Sequence, residues 1–304
     1  MGDRESKEAL RRRLLADPSR LRCRIEEVLS KRCGCESLYE NEPCERVRSS
    51  SVMLLLGEHA ASNGHAPEIC FILNKRSMSV RQGGDLCCPG GTANFRLDPA
   101  IARLLTLPGS PLTRWAHWRE LRKRSPEEAR LISQLLATGL RESWEEMRLY
   151  PFLVRFLGPL PSQCLLLFRR VIHPMVAWVS WQRHFLPSWE VERIVTVPVR
   201  ELLDSDRYVR YRLDVPPHME WRFNGKPDDF PCFRFLQGDR VELLWGVTFR
   251  IVTLILELVF EFTVPPMASL PVVTGVIDES YVLGPAAGNG QGVRNARREQ
   301  GVGK

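Results

Sequence analysis

Residues 125–147, SPEEARLISQLLATGLRESWEEM, constrain the fold more than any other stretch of the chain. Ser125 is placed to cap a helix, Pro126 suits its first position, and Glu128 is spaced to reach back in a capping box. No further proline interrupts the segment before Met147, and Gly139 is its one weak point. At ~100° per residue, Leu136, Leu140, Trp144 and Met147 fall on one stripe. Glu142, Glu145 and Glu146 gather on the opposite side, within about a third of the circumference. The spacing predicts a long helix with a core face and a carboxylate face.

Two readings of the acid cluster stand side by side. Acidic faces on helices are most often simply solvated. Three acids at i, i+3 and i+4 repel one another by a few tenths of a kcal/mol per pair, however, and a hard divalent cation such as Mg²⁺ or Mn²⁺ relieves that repulsion through oxygen ligands. The chain as a whole carries a net charge of +7 with a pI near 9.1, which favours an anionic partner. A phosphorylated metabolite, a nucleic acid and an acidic membrane all satisfy that charge.

The 304 residues suffice for one full-sized domain with appendages. Residues 1–49 are charged, with helical spacing at Leu10, Leu14 and Leu15 and again at Leu21, Ile25, Val28 and Leu29, and are expected to form one or two helices attached to the main domain. Residues 50–264 form that domain. Apolar runs at 52–56 and 69–73 flank an Asn63-Gly64 turn signal, and further strand-like runs occur at 165–168, 175–179 and 194–199. Strands and helices alternate without a regular βαβ rhythm, so the fold class is α/β, a mixed sheet covered by helices. Beyond residue 265 proline, glycine and small residues dominate, which predicts a flexible tail to 304.

Nine cysteines, an odd number, with several inside apolar segments, fit reduced thiols in a cytoplasmic protein better than a disulfide framework. Cys33, Cys35 and Cys44 lack a fourth ligand at zinc-like spacing, so unligated thiols are expected there. Cys87-Cys88 reads as buried strand rather than a redox pair. His173, His184 and His218 stand among apolar or aromatic neighbours and read as structural or substrate-lining. The apolar run 251–264 falls short of the ~20 residues a membrane span needs and is broken by Glu257 and Glu261, so a buried helix is expected and no membrane association.

Arg141-Glu142-Ser143-Trp144-Glu145-Glu146 resembles the R-E-x-x-E-E core of the Nudix box. Upstream, Leu73-Asn74-Lys75-Arg76-Ser77, Arg81, Gly84 and Cys88-Pro89-Gly90-Gly91 resemble the L-x-x-K-R-S…R…G…P-G-G stretch of the coenzyme A pyrophosphatase branch. Thr138-Gly139-Leu140 resembles the lead-in to that branch's box, residues 190–203 its strand and turn, and Trp245-Gly246-Val247-Thr248 with Arg250 the start of its last helix. The similarity covers roughly residues 50–262, and two linked motifs are far more specific than either alone.

The resemblance implies a Nudix-type α/β/α sandwich and hydrolysis of a diphosphate linkage in a small nucleoside diphosphate derivative such as coenzyme A. It implies Mg²⁺ or Mn²⁺ held by Glu142, Glu145 and Glu146 with the Gly91 carbonyl nearby, and Arg141 orienting the acids. An ordinary exposed helix arginine is the plainer reading of Arg141. Lys75, Arg76 and Arg81, with the backbone of Gly90 and Gly91, are candidates to bind substrate phosphates; for each of the cations a structural salt bridge is nearly as good a reading. The catalytic base is either a box glutamate or an acid elsewhere, with Glu190, Glu192 and Glu220 as unranked candidates.

Gly91 and Arg141 stand 50 residues apart, about 36 more than the family's usual spacing. The excess, about residues 99–125, is expected to be a helical insertion in the box loop. It contains Trp115, Trp118, Arg119, Arg122, Lys123 and Arg124, and cations interleaved with aromatics also suit single-stranded RNA. The competing and favoured expectation is that the tryptophans pack on the domain while the charges face water. Arg148 occupies the position after the box that is usually glycine.

Overall fold

The computed structural model describes residues 2–32, 48–59, 67–165, 170–218, 220, 229–277 and 279–284. Cys33, Cys35, Cys44, the Asn63-Gly64 turn, most of the 165–168 run and the tail from 285 lie outside the described residues. In chain order the elements are α1 (Gly2–Ala16), α2 (Pro18–Arg32), β1 (Arg48–His59), β2 (Glu68–Arg76), β3 (Leu86–Cys87), β4 (Gly90–Thr92), α3 (Asp98–Leu104), α4 (Trp118–Arg124), α5 (Pro126–Met147) and β5 (Val154–Pro159). They continue with β6 (Gln163–Leu165), β7 (Arg170–Val179), β8 (Val191–Pro198), α6 (Val199–Leu202), β9 (Tyr208–Asp214), β10 (Phe230–Gln237), β11 (Arg240–Leu244), α7 (Gly246–Phe260), β12 (Val272–Val276) and α8 (Glu279–Leu283).

The main sheet runs β3-β2-β1-β7-β5, with β4 on β1, β6 on β7 and β8 on β2. β1 pairs parallel with β7 and antiparallel with β2, so the sheet is mixed. Its central strand is buried on both faces, and the period-two alternation divides its side chains between two cores. Met53 and Leu55 join Leu136, Leu140, Trp115 and Trp118 beneath α3, α4 and α5. Leu54 and Leu56 join Leu14, Leu21, Ile25, Leu29 and the apolar face of α7 on the opposite side. The layering is α/β/α, with the two N-terminal helices an integral part of one layer.

A second sheet, β11-β10-β9-β12, packs part of its surface into the α7 side of that core through Tyr208, Phe233 and Phe235. The sequence pattern did not reveal it. Its last strand also corrects the expectation of a flexible tail from residue 265. β12 pairs in parallel with β9, and Ile277, Tyr281 and Val282 bury themselves against Leu213 and Val215. A short apolar segment, diluted by the glycines beyond it, docks on a sheet edge that needed a partner. The apolar helix α7 ends at Phe260, short of residue 264, with Glu261 in the left-handed conformation as its cap. Among the described residues no helix is long and apolar enough to cross a membrane.

Candidate active site

The helix α5 starts and stops as its sequence requires, with two differences in detail. Ser125 precedes it but makes no side-chain cap; its N–H instead closes α4 on the Leu121 carbonyl. Trp144 leaves the core stripe: it is exposed, with its ring edge-on to Tyr150 and the Arg148 guanidinium 5.4 Å from its centre. Arg148 ends the helix at φ 55°, ψ 41°, the left-handed geometry that favours glycine. The last carbonyls of α5 are satisfied by the following loop, since Leu186 N–H donates to Met147 O and Ser188 N–H to Glu146 O.

The three acids occupy three environments. Glu146 is buried, its Oε2 accepting from Asn74 Nδ2 at 2.9 Å and from Gly90 N at 3.2 Å. Burial, then the nearby negative charges of Glu142 and Glu190, push its pKa up to about 8 against the pull of Gly90 N–H and Arg76. Glu142 is half-buried with its pKa also raised by burial, although Arg141 at 3.0 Å opposes the shift. Glu145 has a side chain 52% exposed and turns to Arg141 at 3.2 Å.

Arg141 is the hub of this face. Its Nε donates to Asp98 Oδ1 at 2.7 Å, one terminal nitrogen donates to the Thr92 carbonyl, and the guanidinium pairs with both Glu142 and Glu145. Asp98 is itself buried and accepts from Thr138 Oγ1 and from Asn94 N, both at 2.6 Å. Asp98 therefore fixes Arg141, and Arg141 fixes two acids. Neither Asp98 nor Asn74 was assigned a role from sequence. Asp98 begins α3, 43 positions before Arg141, a separation no local pattern bridges. We expect Asp98→Ala to lower kcat by about 10- to 100-fold with KM little changed, and Asp98→Asn to recover part of the loss. Equal kcat in all three folded proteins, measured by steady-state turnover, would remove Asp98 from the positioning chain.

The glycine pair explains itself by contact. Gly90 sits at φ 151° in β4, and a Cβ there would collide with the Ser51 carbonyl. A Cβ on Gly91 would stand 2.5 Å from the Glu142 carboxyl carbon. The backbone thus passes as close to the acid face as a chain without side chains allows. Beside it opens a cleft of about 410 Å³ lined by Thr92, Ala93, Asn94, Phe95, Arg141 and Glu142, with the Phe95 ring 91% exposed at its rim.

The cationic candidates separate. Lys75 points away from the acids and pairs with buried Glu242 at 2.7 Å, a carboxylate it shares with Arg193. Arg76, two residues from Asn74 on the same strand face, stays close enough to Glu146 to lower its pKa, and its Nε donates to the Arg81 carbonyl. Arg81 lies exposed on the adjoining loop. Among the base candidates, Glu190 raises the pKa of Glu146 and receives Ser77 N–H on its carbonyl, whereas Glu192 is drawn to Arg193. His173 is buried, which holds its pKa down to about 4. His184 is exposed rather than apolar-lined, and His218 reaches Glu279. Cys87 is pushed up to about 12 and Cys88 higher still by burial, which disfavours either thiolate.

Of the insertion's aromatics, Trp115 is 2% and Trp118 3% exposed, and Trp115 Nε1 donates to the Leu157 carbonyl. Both rings lie in the core, the favoured expectation for the insertion, and Arg119, Arg122 and Lys123 are exposed.

No known family's sequence profile matches the chain, and no curated protein matches it. Solved structures do resemble it. A Nudix hydrolase from Alicyclobacillus acidocaldarius shares 14% identity over 53% of this chain and 83% of its own, with a TM-score of 0.34. A MutT protein from Methanosarcina mazei shares 17% over 53% and 84%, at 0.30. The Nudix domain of NrtR from Shewanella oneidensis, solved with ADP ribose, shares 16% over 54% and 81%, at 0.31. With TM-scores this low, the functional reading rests on the chain's own motifs and geometry.

Proposed function

We propose that this chain is a Nudix-type pyrophosphohydrolase that requires Mg²⁺ or Mn²⁺ and cleaves the diphosphate of a nucleoside diphosphate derivative, with coenzyme A the favoured substrate. One observation carries the reading: the R-E-x-x-E-E face of α5 lies directly against the Gly90-Gly91 strand, so the two halves of the motif resemblance meet in space. Among the described residues no three or more His, Cys, Asp or Glu side chains form a ready-made metal cage. Glu145 shares the Arg141 guanidinium with Glu142, whereas Glu146 is held by Asn74 and Gly90. The residues nonetheless suit a hard cation, because the donors are all oxygen and buried Glu146, beside half-buried Glu142, has its pKa pushed up to about 8 by burial and by that neighbour's charge.

Glu142 and Glu146 would hold the ion, joined by Glu145 once released from Arg141. When bound, a divalent ion neutralises diphosphate oxygens and makes a bound water more acidic. The chain's own residues do the rest. Asn74 and Gly90 N–H orient Glu146, Arg141 orients Glu142, and Arg76 and Arg81 supply positive charge for substrate phosphates. Glu190, close to Glu146, is the best-placed residue to accept a proton from the attacking water.

A substrate panel with Mg²⁺ and with Mn²⁺ tests this reading. Coenzyme A is expected to give phosphopantetheine and 3′,5′-ADP by mass, dephospho-coenzyme A to be turned over less efficiently, and EDTA to abolish both reactions. Inert coenzyme A beside brisk hydrolysis of ADP-ribose or a dinucleotide would overturn the coenzyme A assignment. Inertness of the whole panel would overturn the hydrolase reading.

A further inference from the structure

A second cleft, of about 620 Å³, opens between the insertion helices α3 and α4 and the first half of α5. Arg103, Arg122 and Arg130 line it, one from each helix, over a floor that includes Ala102, Ala129 and Trp118. None of the three arginines makes an ion pair among the described residues, and the acids of the nearest turns, Glu120, Glu127 and Glu128, are not part of the lining. Three guanidiniums converging on one concavity repel one another unless an anion sits between them. Trp118 adds an independent sign. It is 3% exposed, Arg122 lies 5.9 Å from its ring centre, and its buried indole Nε1–H has no hydrogen-bond partner. Orphaned buried donors are rare, and one beside unpaired cations points to an absent acceptor. The volume falls within the range of small-molecule sites, and the lining mixes apolar surface with a few convergent polar groups.

We propose that this cleft is a binding site for a phosphorylated small molecule, separate from the acid face of α5. The arginines take the phosphoryl oxygens, and the alanine and tryptophan surface takes the apolar body of the ligand. The proposal is independent of the hydrolase reading, because none of its residues belongs to the box. It also gives the insertion a role that buried tryptophans exclude for nucleic-acid stacking.

Calorimetric titration of the full chain in EDTA with adenosine 5′-monophosphate and with inorganic pyrophosphate provides the test. Saturable 1:1 binding is expected for the nucleotide, weakened about tenfold or more by the double change Arg122→Gln/Arg130→Gln and unaltered by Glu146→Gln. Both substituted arginines are exposed on helices, so folding should survive, and circular dichroism confirms that it does. Absence of saturable heat with either probe, or equal affinity in the double variant, overturns the proposal. So does binding of a single-stranded oligouridylate that depends on these arginines while neither small probe binds.

Discussion

Glu146→Gln is expected to lower kcat by about 10²-fold or more while the protein melts no lower than the parent. The substitution preserves size, and an amide oxygen can still accept from Asn74 Nδ2 and Gly90 N, the two donors that now fix the carboxylate. What disappears is the ability to ionise. Burial and the proximity of Glu142 and Glu190 push the pKa of Glu146 up to about 8, so the acid gives up its proton near neutral pH only when a cation offsets the cost. A buried carboxyl with its pKa raised in this way is the kind of group that function retains, because several kcal/mol of transition-state stabilisation go with a well-held cation and each 1.4 kcal/mol is tenfold in rate. Steady-state turnover at saturating Mg²⁺ and Mn²⁺, with thermal melts of both proteins, decides the matter. Near-wild-type turnover in the variant would show that Glu146 is merely a hydrogen-bonded core acid.

The site was partly legible because its central element follows a strong local rule. A 22-residue helix with a proline start, a left-handed end and a 3.6-residue apolar period declares both its faces. Arithmetic on the helix wheel could not tell that Glu142 and Glu145 would share one guanidinium while Glu146 turns to Asn74 and Gly90. That guanidinium, Arg141, is held by Asp98 from α3. Lys75 makes the salt bridge that stood as the alternative to phosphate binding, for a reason the sequence did contain. Adjacent strand residues face opposite ways, so in Asn74-Lys75-Arg76 the outer two share the site face and the lysine goes to Glu242. Asn74 could have been found by the same rule, as a polar residue on the strand face that meets the box helix.

The second sheet was hidden by composition. Tyr208–Asp214 carries two arginines that pair with Asp229, and β10 contains Pro231, so neither reads as a core strand. These strands are half-covered, and their apolar positions become interior through contacts with α7 and with residues beyond 270, which no local window joins. The tryptophans of the insertion, by contrast, pack on the domain as their sequence favoured. The wall they pack against is supplied by β5 and α5.

Deleting everything after Pro271 is expected to lower Tm by about 10 °C and to cut turnover severely, the opposite of what the glycine-rich composition of the tail suggests. The deletion removes β12 from the edge of β9 and strips Ile277, Tyr281 and Val282 from Leu213 and Val215. Each fully buried side chain of this kind contributes about 1.5–3 kcal/mol, and in a domain of this size each kcal/mol shifts Tm by roughly 2–4 °C. The effect on activity comes by a different path. Tyr281 donates its hydroxyl to Asp85 Oδ2, its carbonyl receives Gln82 N–H, and Trp245 Nε1 holds the other Asp85 oxygen at 3.1 Å. Residues 82–85 close the loop that carries Arg81 and returns to Arg76, whose Nε is in turn held by the Arg81 carbonyl. Without α8 the half-buried Asp85 loses its tyrosine partner, and the loop beside Glu146 loses an anchor. A shorter deletion after Gly284 separates the two contributions, since it leaves every one of these contacts in place. It should match the full chain in both melting temperature and turnover. If the longer deletion matches it as well, the C-terminal strand and helix have no part in holding the loop.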